Sequence, residues 1–382
     1  MWSWPIIVCL IAVGLSSLHT GAAALFVGRF ARRKAPARIE SPSVTILKPL
    51  CGDEPGLMEN LASFCAQDYS GAIQIIFGTQ DPGDPAIDTV KGLLTKFPGH
   101  TLELVVDSRL HGVNRKVSNL VNMAACIRHE VVILADSDIR VGPGYVAGLI
   151  AELERSGVNG VTCLYHGLGS QSIWSRLSAL GIDTHFLPNV IVGLALRLAR
   201  PCLGSTIALR RETLNRIGGM EVFANDMADD YVLGEALRSE GGEVAVPSFL
   251  IGHVCGECSW GELWGHELRW ARTIRSIDPV GHAASIITHG LPWALMAVLL
   301  GGGLAATAAV FLVVTSRILL CMRIERAFGL VPHPYWLLPF RDLLSFTVFI
   351  ASFIGRSVTW KGHSYRMEAK ANLVPKRRSA SP

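Results

Sequence analysis

Charge is scarce in this sequence. Only 17% of its 382 residues are Asp, Glu, Lys or Arg, 50% are hydrophobic and the mean hydropathy is +0.37. A soluble domain carries roughly 25% charge, so the deficit points to membrane segments beside a sizeable soluble part. No G-x-G-x-x-G follows the first strand-like stretch, and no G-x-x-x-x-G-K-[ST] is present. These absences argue against an NAD enzyme and against a P-loop NTPase. A second C-x-x-C is also missing. Of nine cysteines only Cys255 and Cys258 lie close together. With His253 as a possible third member, that set falls short of the four ligands of a structural zinc site. The thiols read as reduced, structural and cytosolic. The net charge is only +4 and the basic residues cluster beside apolar runs, so nucleic acid is not an expected partner.

What is present begins with an apolar run, Pro5–Phe30, broken only by small polar residues, His19 and Arg29. About 20 residues suffice to cross a bilayer. Arg32, Arg33, Lys34 and Arg38 follow the run, whereas a signal peptide carries its charge in front. Residues 1–30 therefore read as an uncleaved transmembrane anchor, with the next domain held in the cytoplasm by its basic flank. Residues 41–280 read as that domain and 286–355 as a second membrane region. The last stretch, 356–382, reads as a basic tail.

Within the domain, strands and helices alternate. Val44–Leu47, Ile73–Gly78, Leu102–Val106 and Val131–Ala135 read as strands, and Pro55–Cys65, Pro85–Phe97 and Lys116–Ile127 as helices. Units of this kind imply an α/β fold, a mostly parallel sheet flanked by helices. Cys202–Arg211 reads as a strand entering a turn, Asn225–Ser239 as a helix, and Val244–Ile251 as another strand. The segment 171–200 is apolar with isolated Arg176, Arg197 and Arg200. It is either a pair of core helices or lies in the membrane surface. Ile286–Met322 is too long for one perpendicular pass. Gly301-Gly302-Gly303 marks either a hairpin or a point within one tilted helix. The basic residues on both sides of the final apolar stretch are reconciled by a re-entrant segment. Arg341 and Asp342 in that stretch are candidates to pair with each other.

The organising stretch is VVILADSDIRV, Val131–Val141. Five apolar residues suit a strand buried on both faces, and it stops on Asp136 and Asp138. The carboxyl edge of such a sheet is where open α/β folds bind ligands. Two neighbouring carboxylates there either solvate as a turn or hold a hard divalent cation, Mg²⁺ or Mn²⁺, that bridges to phosphates. A second strand also ends in acids, Asp81 and Asp84, which supports a polar ligand at this edge. A further acidic pair, Asp229 and Asp230, precedes His266-Glu267-Leu268-Arg269-Trp270. The tryptophans and arginines around Arg269 are either an interfacial belt or a diphosphate and sugar clamp.

The order of these motifs resembles the membrane glycosyltransferases of the ceramide glucosyltransferase family, relatives of the inverting cellulose- and hyaluronan-synthase-like enzymes. Four stretches carry the resemblance: ILKPLCGDEPGLMENLASF (Ile46–Phe64), QDPGDPAID (Gln80–Asp88), ADSDIRV (Ala135–Val141) and ADDY (Ala228–Tyr231) followed by HELRW. It implies a GT-A-type fold. It also implies that Asp81, Asp84, Lys116 and Asp136 serve a nucleotide-sugar, that Asp136 and Asp138 hold the metal, and that Asp230 is the general base. His266, Arg269, Trp270, His185 and Asp229 fall at a clamp for donor and acceptor. The closing motif of the family usually begins with Gln or Arg, and here it begins with His266. The stretch His185–Gly219 resembles the bacterial branch found with hopanoid synthesis. That branch implies transfer of N-acetylglucosamine from UDP-GlcNAc to a bacteriohopanepolyol at the bacterial inner membrane. Ceramide with UDP-glucose is the alternative, and a non-catalytic membrane scaffold is the alternative of another class. A polymerising synthase would need more membrane helices.

Overall fold

The computed structural model describes residues 3–37, 40–170, 172–355, 357–360, 363–367 and 373–375. The first element is α1 (Trp4–Ala31), a 28-residue helix. The chain then runs β1 (Val44–Pro49), α2 (Leu57–Cys65), β2 (Ile73–Thr79), α3 (Ala86–Lys96), β3 (Thr101–Val106), α4 (Arg115–Ala124), β4 (Val131–Ala135), β5 (Ile139–Arg140), α5 (Tyr145–Leu153), β6 (Val158–Thr162) and β7 (Leu164–Gly169). It continues through α6 (Ile173–Gly181), a π-helical turn at Ile182–Phe186, α7 (Leu187–Ala195), β8 (Thr206–Arg210), α8 (Arg211–Arg216), α9 (Asp229–Ser239), β9 (Glu243–Ala245), β10 (Leu250–Cys255) and α10 (Trp260–Ile277). The last helices are α11 (Pro279–Ala284), α12 (Gly290–Leu299), α13 (Gly303–Phe328) and α14 (Leu338–Ser352).

Seven strands form one sheet in the order β3-β2-β1-β4-β8-β6-β9. The pairs among β3, β2, β1 and β4 are parallel, as the strand–helix alternation requires, while β8 inserts antiparallel to both β4 and β6. Alternate side chains of each strand face opposite layers. Ile46, Ile75, Phe77 and Ile133 pack with Leu61, Phe64, Val90 and Leu149 of α2, α3 and α5. Leu47, Ile76, Val132 and Leu134 pack with Leu120, Met123, Leu233 and Leu237 of α4 and α9. The fully buried β4 thus reads as a continuous apolar run because both of its faces are covered. A second sheet, β5-β10-β7, sits beside the end of β4.

Two strand readings need correction. Val244–Ile251 is not one strand: β9 and β10 belong to different sheets, with Pro247 and Ser248 between them. Proline cannot donate to a ladder, which breaks the run. In Cys202–Arg211 the turn at Gly204-Ser205 comes before strand β8, and the strand enters helix α8. The proposed tail holds three short antiparallel strands, Ser357–Trp360, His363–Met367 and Leu373–Pro375; its remaining residues lie outside the described set.

The segment 171–200 folds as a helical run, Ile173–Ala195, with the π turn in the middle. It is long and apolar enough to cross a membrane, yet two-thirds of it is buried inside the protein. α1 and α13 also have the length and apolarity of membrane spans. α11 with the short 3-10 turn after it, and α12, form a pair bent by 58°, the shape of a broken span or a re-entrant loop. Of the two readings of Gly301-Gly302-Gly303, the hairpin holds, because α12 and α13 turn back on one another there. Arg341 and Asp342 do not pair with each other. Arg317 binds Asp342 at 2.8 Å, and Arg341 makes a two-pronged bond to Glu267. Neighbouring residues on a helix point about 100° apart, so each reaches a different partner.

Candidate active site

β4 delivers Asp136 and Asp138 to the carboxyl edge of the sheet, and the stretch after β1 holds the turn between them in place. Lys48 is fully buried. Its ammonium donates to the Asp136 backbone carbonyl and lies 3.9 Å from the centre of the Phe64 ring. Burial lowers the Lys48 pKa to about 7, against the pull of Asp138, Asp136 and Glu54. The Ser137 hydroxyl donates to Glu54. The Asn60 side-chain amide donates to the Ser137 carbonyl at 3.4 Å, and the Val254 N–H donates to the Asp138 carbonyl at 2.8 Å. A turn fixed from so many sides keeps two repelling carboxylates aimed the same way.

Three elements meet in front of it. Lys116, on the first turn of α4, is 2.6 Å from Asp136 and 3.8 Å from Asp229. Asn114 caps that helix through its Oδ1 at 3.1 Å from the Val117 N–H, and its amide donates to Asp229 at 3.2 Å. Asp229 and Asp230 open α9. The Gly204 N–H donates to Asp230 at 2.8 Å. A Cβ placed on Gly204 would lie 3.0 Å from the Lys116 Nζ, 3.4 Å from Asp230 and 3.6 Å from Asp136. Glycine therefore leaves room at the point where these three groups converge.

The electrostatics are unbalanced. Burial, together with Asp138, raises the Asp136 carboxyl despite the Lys116 contact. Burial is also the main cause that lifts Asp229 to about 6, with Asp230 and Asp136 adding to it. Burial works against the charge on Lys116, but Asp136, Asp229 and Asp230 outweigh it and raise its pKa. Arg269, on α10, is lowered by burial while Asp138 and Asp136 pull the other way. Asp138 Oδ1 is buried with no hydrogen-bond partner among the described residues, and Asp138 Oδ2 lies 3.4 Å from the His253 Nε2. Hard carboxylate oxygens, one of them orphaned, with an imidazole nitrogen beside them, fit a divalent cation of the Mg²⁺ or Mn²⁺ type. Asp136 and Asp138 would hold it.

The structure gathers Lys116, Asp136, Asp138, Asp229, Asp230, Arg269 and Trp270 at one edge. Other sequence candidates stand apart. Asp84 is buried and spends both carboxylate oxygens on backbone N–H groups, Gly52 at 3.0 and 3.1 Å and Ala86 at 2.9 Å. Its direct work is to tie the loop after β1 to the start of α3. Asp81 is exposed and accepts from Gly83 at 2.8 Å. His185 lies in the π turn, stacked on His289 at 5.0 Å, away from the carboxylates. The sequence reading overlooked Lys48, Gly204 and Glu257. It named His253 only for zinc. The buried lysine within the apolar strand β1 was the available signal for Lys48.

A model of glycosyl transferase family 21 matches residues 4–373. The chain belongs to that family. It is therefore a glycosyltransferase. Ceramide glucosyltransferase 1 of Caenorhabditis elegans is 23% identical over 338 residues, covering 85% of this chain and 72% of the relative. A ceramide glucosyltransferase of Komagataella phaffii is 30% identical, but over only 35% of this chain and 27% of its own length. A mannosyltransferase from Pyrobaculum calidifontis, solved with GDP-Man and Mn²⁺, superposes with a TM-score of 0.52 at 20% identity, covering 91% of this chain and 99% of its own. That likeness establishes the GT-A-like fold.

Proposed function

We propose that this glycosyltransferase moves a sugar from a UDP-sugar to a lipid hydroxyl with inversion. The specific reading is N-acetylglucosamine from UDP-GlcNAc to a bacteriohopanepolyol, at the bacterial inner membrane with the catalytic domain in the cytoplasm. The observation that carries the transfer reading is the convergence of Lys116, Asp136 and Asp230 around Gly204, at the sheet edge beside helices apolar enough to enter a bilayer. Asp136 and Asp138 would hold a divalent cation, which would supply Lewis-acid stabilisation of the leaving diphosphate. Arg269 supplies a guanidinium suited to phosphate oxygens. Asp230 takes the proton of the acceptor hydroxyl. Lys116 balances charge between Asp136 and Asp229. One base acting from the face opposite the diphosphate gives inversion in a single displacement.

Ceramide with UDP-glucose is the second reading, favoured by the ceramide glucosyltransferases among the relatives. The test is product formation by the purified protein in detergent with Mg²⁺ or Mn²⁺, a panel of UDP-sugars, and either a hopanoid polyol or ceramide. Mass spectrometry should show N-acetylglucosamine on the polyol. Product on ceramide alone would exchange the two acceptors, and UDP binding without transfer to any lipid would favour the scaffold alternative.

A further inference from the structure

His266 opens the HELRW motif of α10, at the position the resemblance leaves unexplained. Its Nδ1 lies 2.6 Å from the Glu257 Oε1. Glu257 is buried, with a side chain only 6% exposed. Its Oε1 also accepts from the Ser178 hydroxyl of α6 at 3.0 Å. Burial tends to raise Glu257, but the bonds from His266 and Ser178 offset that and hold it below the usual carboxylate range. A carboxylate is an acceptor only. The proton between the two residues therefore sits on the His266 Nδ1, and the second nitrogen, Nε2, is left for another partner.

Nε2 has no hydrogen bond among the described residues, and the side chain is 23% exposed. The ring packs 4.3 Å from Trp270 and 6.5 Å from His253, centre to centre. His253 in turn faces Asp138. His266, Arg269 and Trp270 share one helix face, being three and four residues apart. His266 thus stands between the diphosphate edge, marked by Asp138 and Arg269, and the apolar run Ile173–Ala195, reached through Glu257 and Ser178. An acceptor lipid would present its polar head at that joint.

We propose that Glu257 fixes the orientation of the His266 ring so that Nε2 forms a hydrogen bond with a hydroxyl of the acceptor's polar head. His266 is then a residue that reads acceptor hydroxyls, and Glu257 is its positioning residue. The inference rests on the transferase reading above. It also gives the departure from Gln or Arg a chemical content: the imidazole presents one ring nitrogen in a direction fixed by Glu257, whereas arginine presents a fork of donors.

The test compares His266→Phe, His266→Gln and Glu257→Leu with the unaltered protein, for UDP affinity and for kcat/KM of the polyol acceptor. His266→Phe keeps a ring but no nitrogen. It should lower acceptor kcat/KM by about 10- to 100-fold, the range typical of a lost orienting partner or polar contact, while UDP affinity changes by less than about 3-fold. His266→Gln, whose amide can donate or accept, should recover part of the loss. Glu257→Leu should resemble His266→Phe, and the double variant should be no worse than either single one. An acceptor lacking the reading hydroxyl should be insensitive to His266→Phe. Full acceptor kcat/KM in His266→Phe would overturn the inference while leaving the transferase reading intact. Equal loss of UDP affinity and acceptor kcat/KM would do the same, since it would indicate a structural role. An unaltered protein that transfers to no lipid overturns both.

Discussion

Two clusters of buried charge invite comparison: one at the sheet edge, the other between the apolar helices. In the helical cluster each arginine meets a carboxylate, although Asp183 Oδ2 and Glu257 Oε2 are also buried without a hydrogen bond among the described residues. Arg317 donates to Asp342 at 2.8 Å and to the Thr184 carbonyl at 2.6 Å. Arg341 pairs with Glu267 and also donates to the Leu177 carbonyl. Glu325 accepts from the Tyr335 hydroxyl at 2.6 Å and the His333 N–H at 2.8 Å. At the sheet edge four carboxylates, Asp136, Asp138, Asp229 and Asp230, face Lys48, Lys116 and Arg269, and one Asp138 oxygen has no hydrogen-bond partner among the described residues. A cluster whose arginines pair off with carboxylates joins parts of a fold. One in which carboxylates crowd together and outnumber the cations is held for something that arrives, and it costs stability to keep.

Substituting each cluster in turn should separate these roles. The largest effect is expected from Asp136→Asn. It should lower transfer by at least about 100-fold, the loss typical of a removed electrostatic contact to the reacting group. The melting temperature should change little, because burial and Asp138 already disfavour the Asp136 charge. Arg341→Met should do the opposite. Breaking a buried pair costs about 3–5 kcal/mol, so denaturant unfolding should show a loss of that order. Activity should fall in step with folded protein, apart from any part that reflects the tilt of α10, where Glu267 sits next to His266. A thermally unchanged Arg341→Met would erase the distinction between the clusters.

A smaller effect concerns pH. Asp229 is lifted from 3.8 to about 6 in the folded protein. Between those values the folded state binds the extra proton, so the contribution of Asp229 to stability declines as pH rises through that window. In the presence of a chelator, Asp229→Asn should therefore be more stable than the unaltered protein at pH 7, by about 1–3 kcal/mol. The advantage should vanish below about pH 4. An advantage that grows on acidification would mean that Asp229 is held by Lys116 more than it is penalised by burial.

Much of the fold was legible because its signals are local. The short apolar runs and their alternation with helical stretches located β1 to β4 and the helices between them, and the step from Ala135 to Asp136 marked the working edge. The antiparallel entry of β8 was not legible, since no residue in Thr206–Arg210 encodes its partner. The assembly of the site spans the chain: Asp136 and Asp230 are brought together by β4 and α9, and only the resemblance of motif order placed them in one site. Glu257 gave no signal because it lies in a short loop whose meaning depends on Ser178 and His266. Arg341 and Asp342 misled for a geometric reason, as adjacency in sequence is not adjacency on a helix.

The most direct measurement is single-turnover transfer by Asp230→Asn, with UDP-sugar binding followed in the same preparation. Loss of transfer by about 10²- to 10⁴-fold, the usual contribution of a general base, with donor binding and unfolding behaviour retained, is the expected result. Transfer at the unaltered rate would contradict the assignment of Asp230 as the base and with it the reading of the Gly204 convergence as the site of reaction.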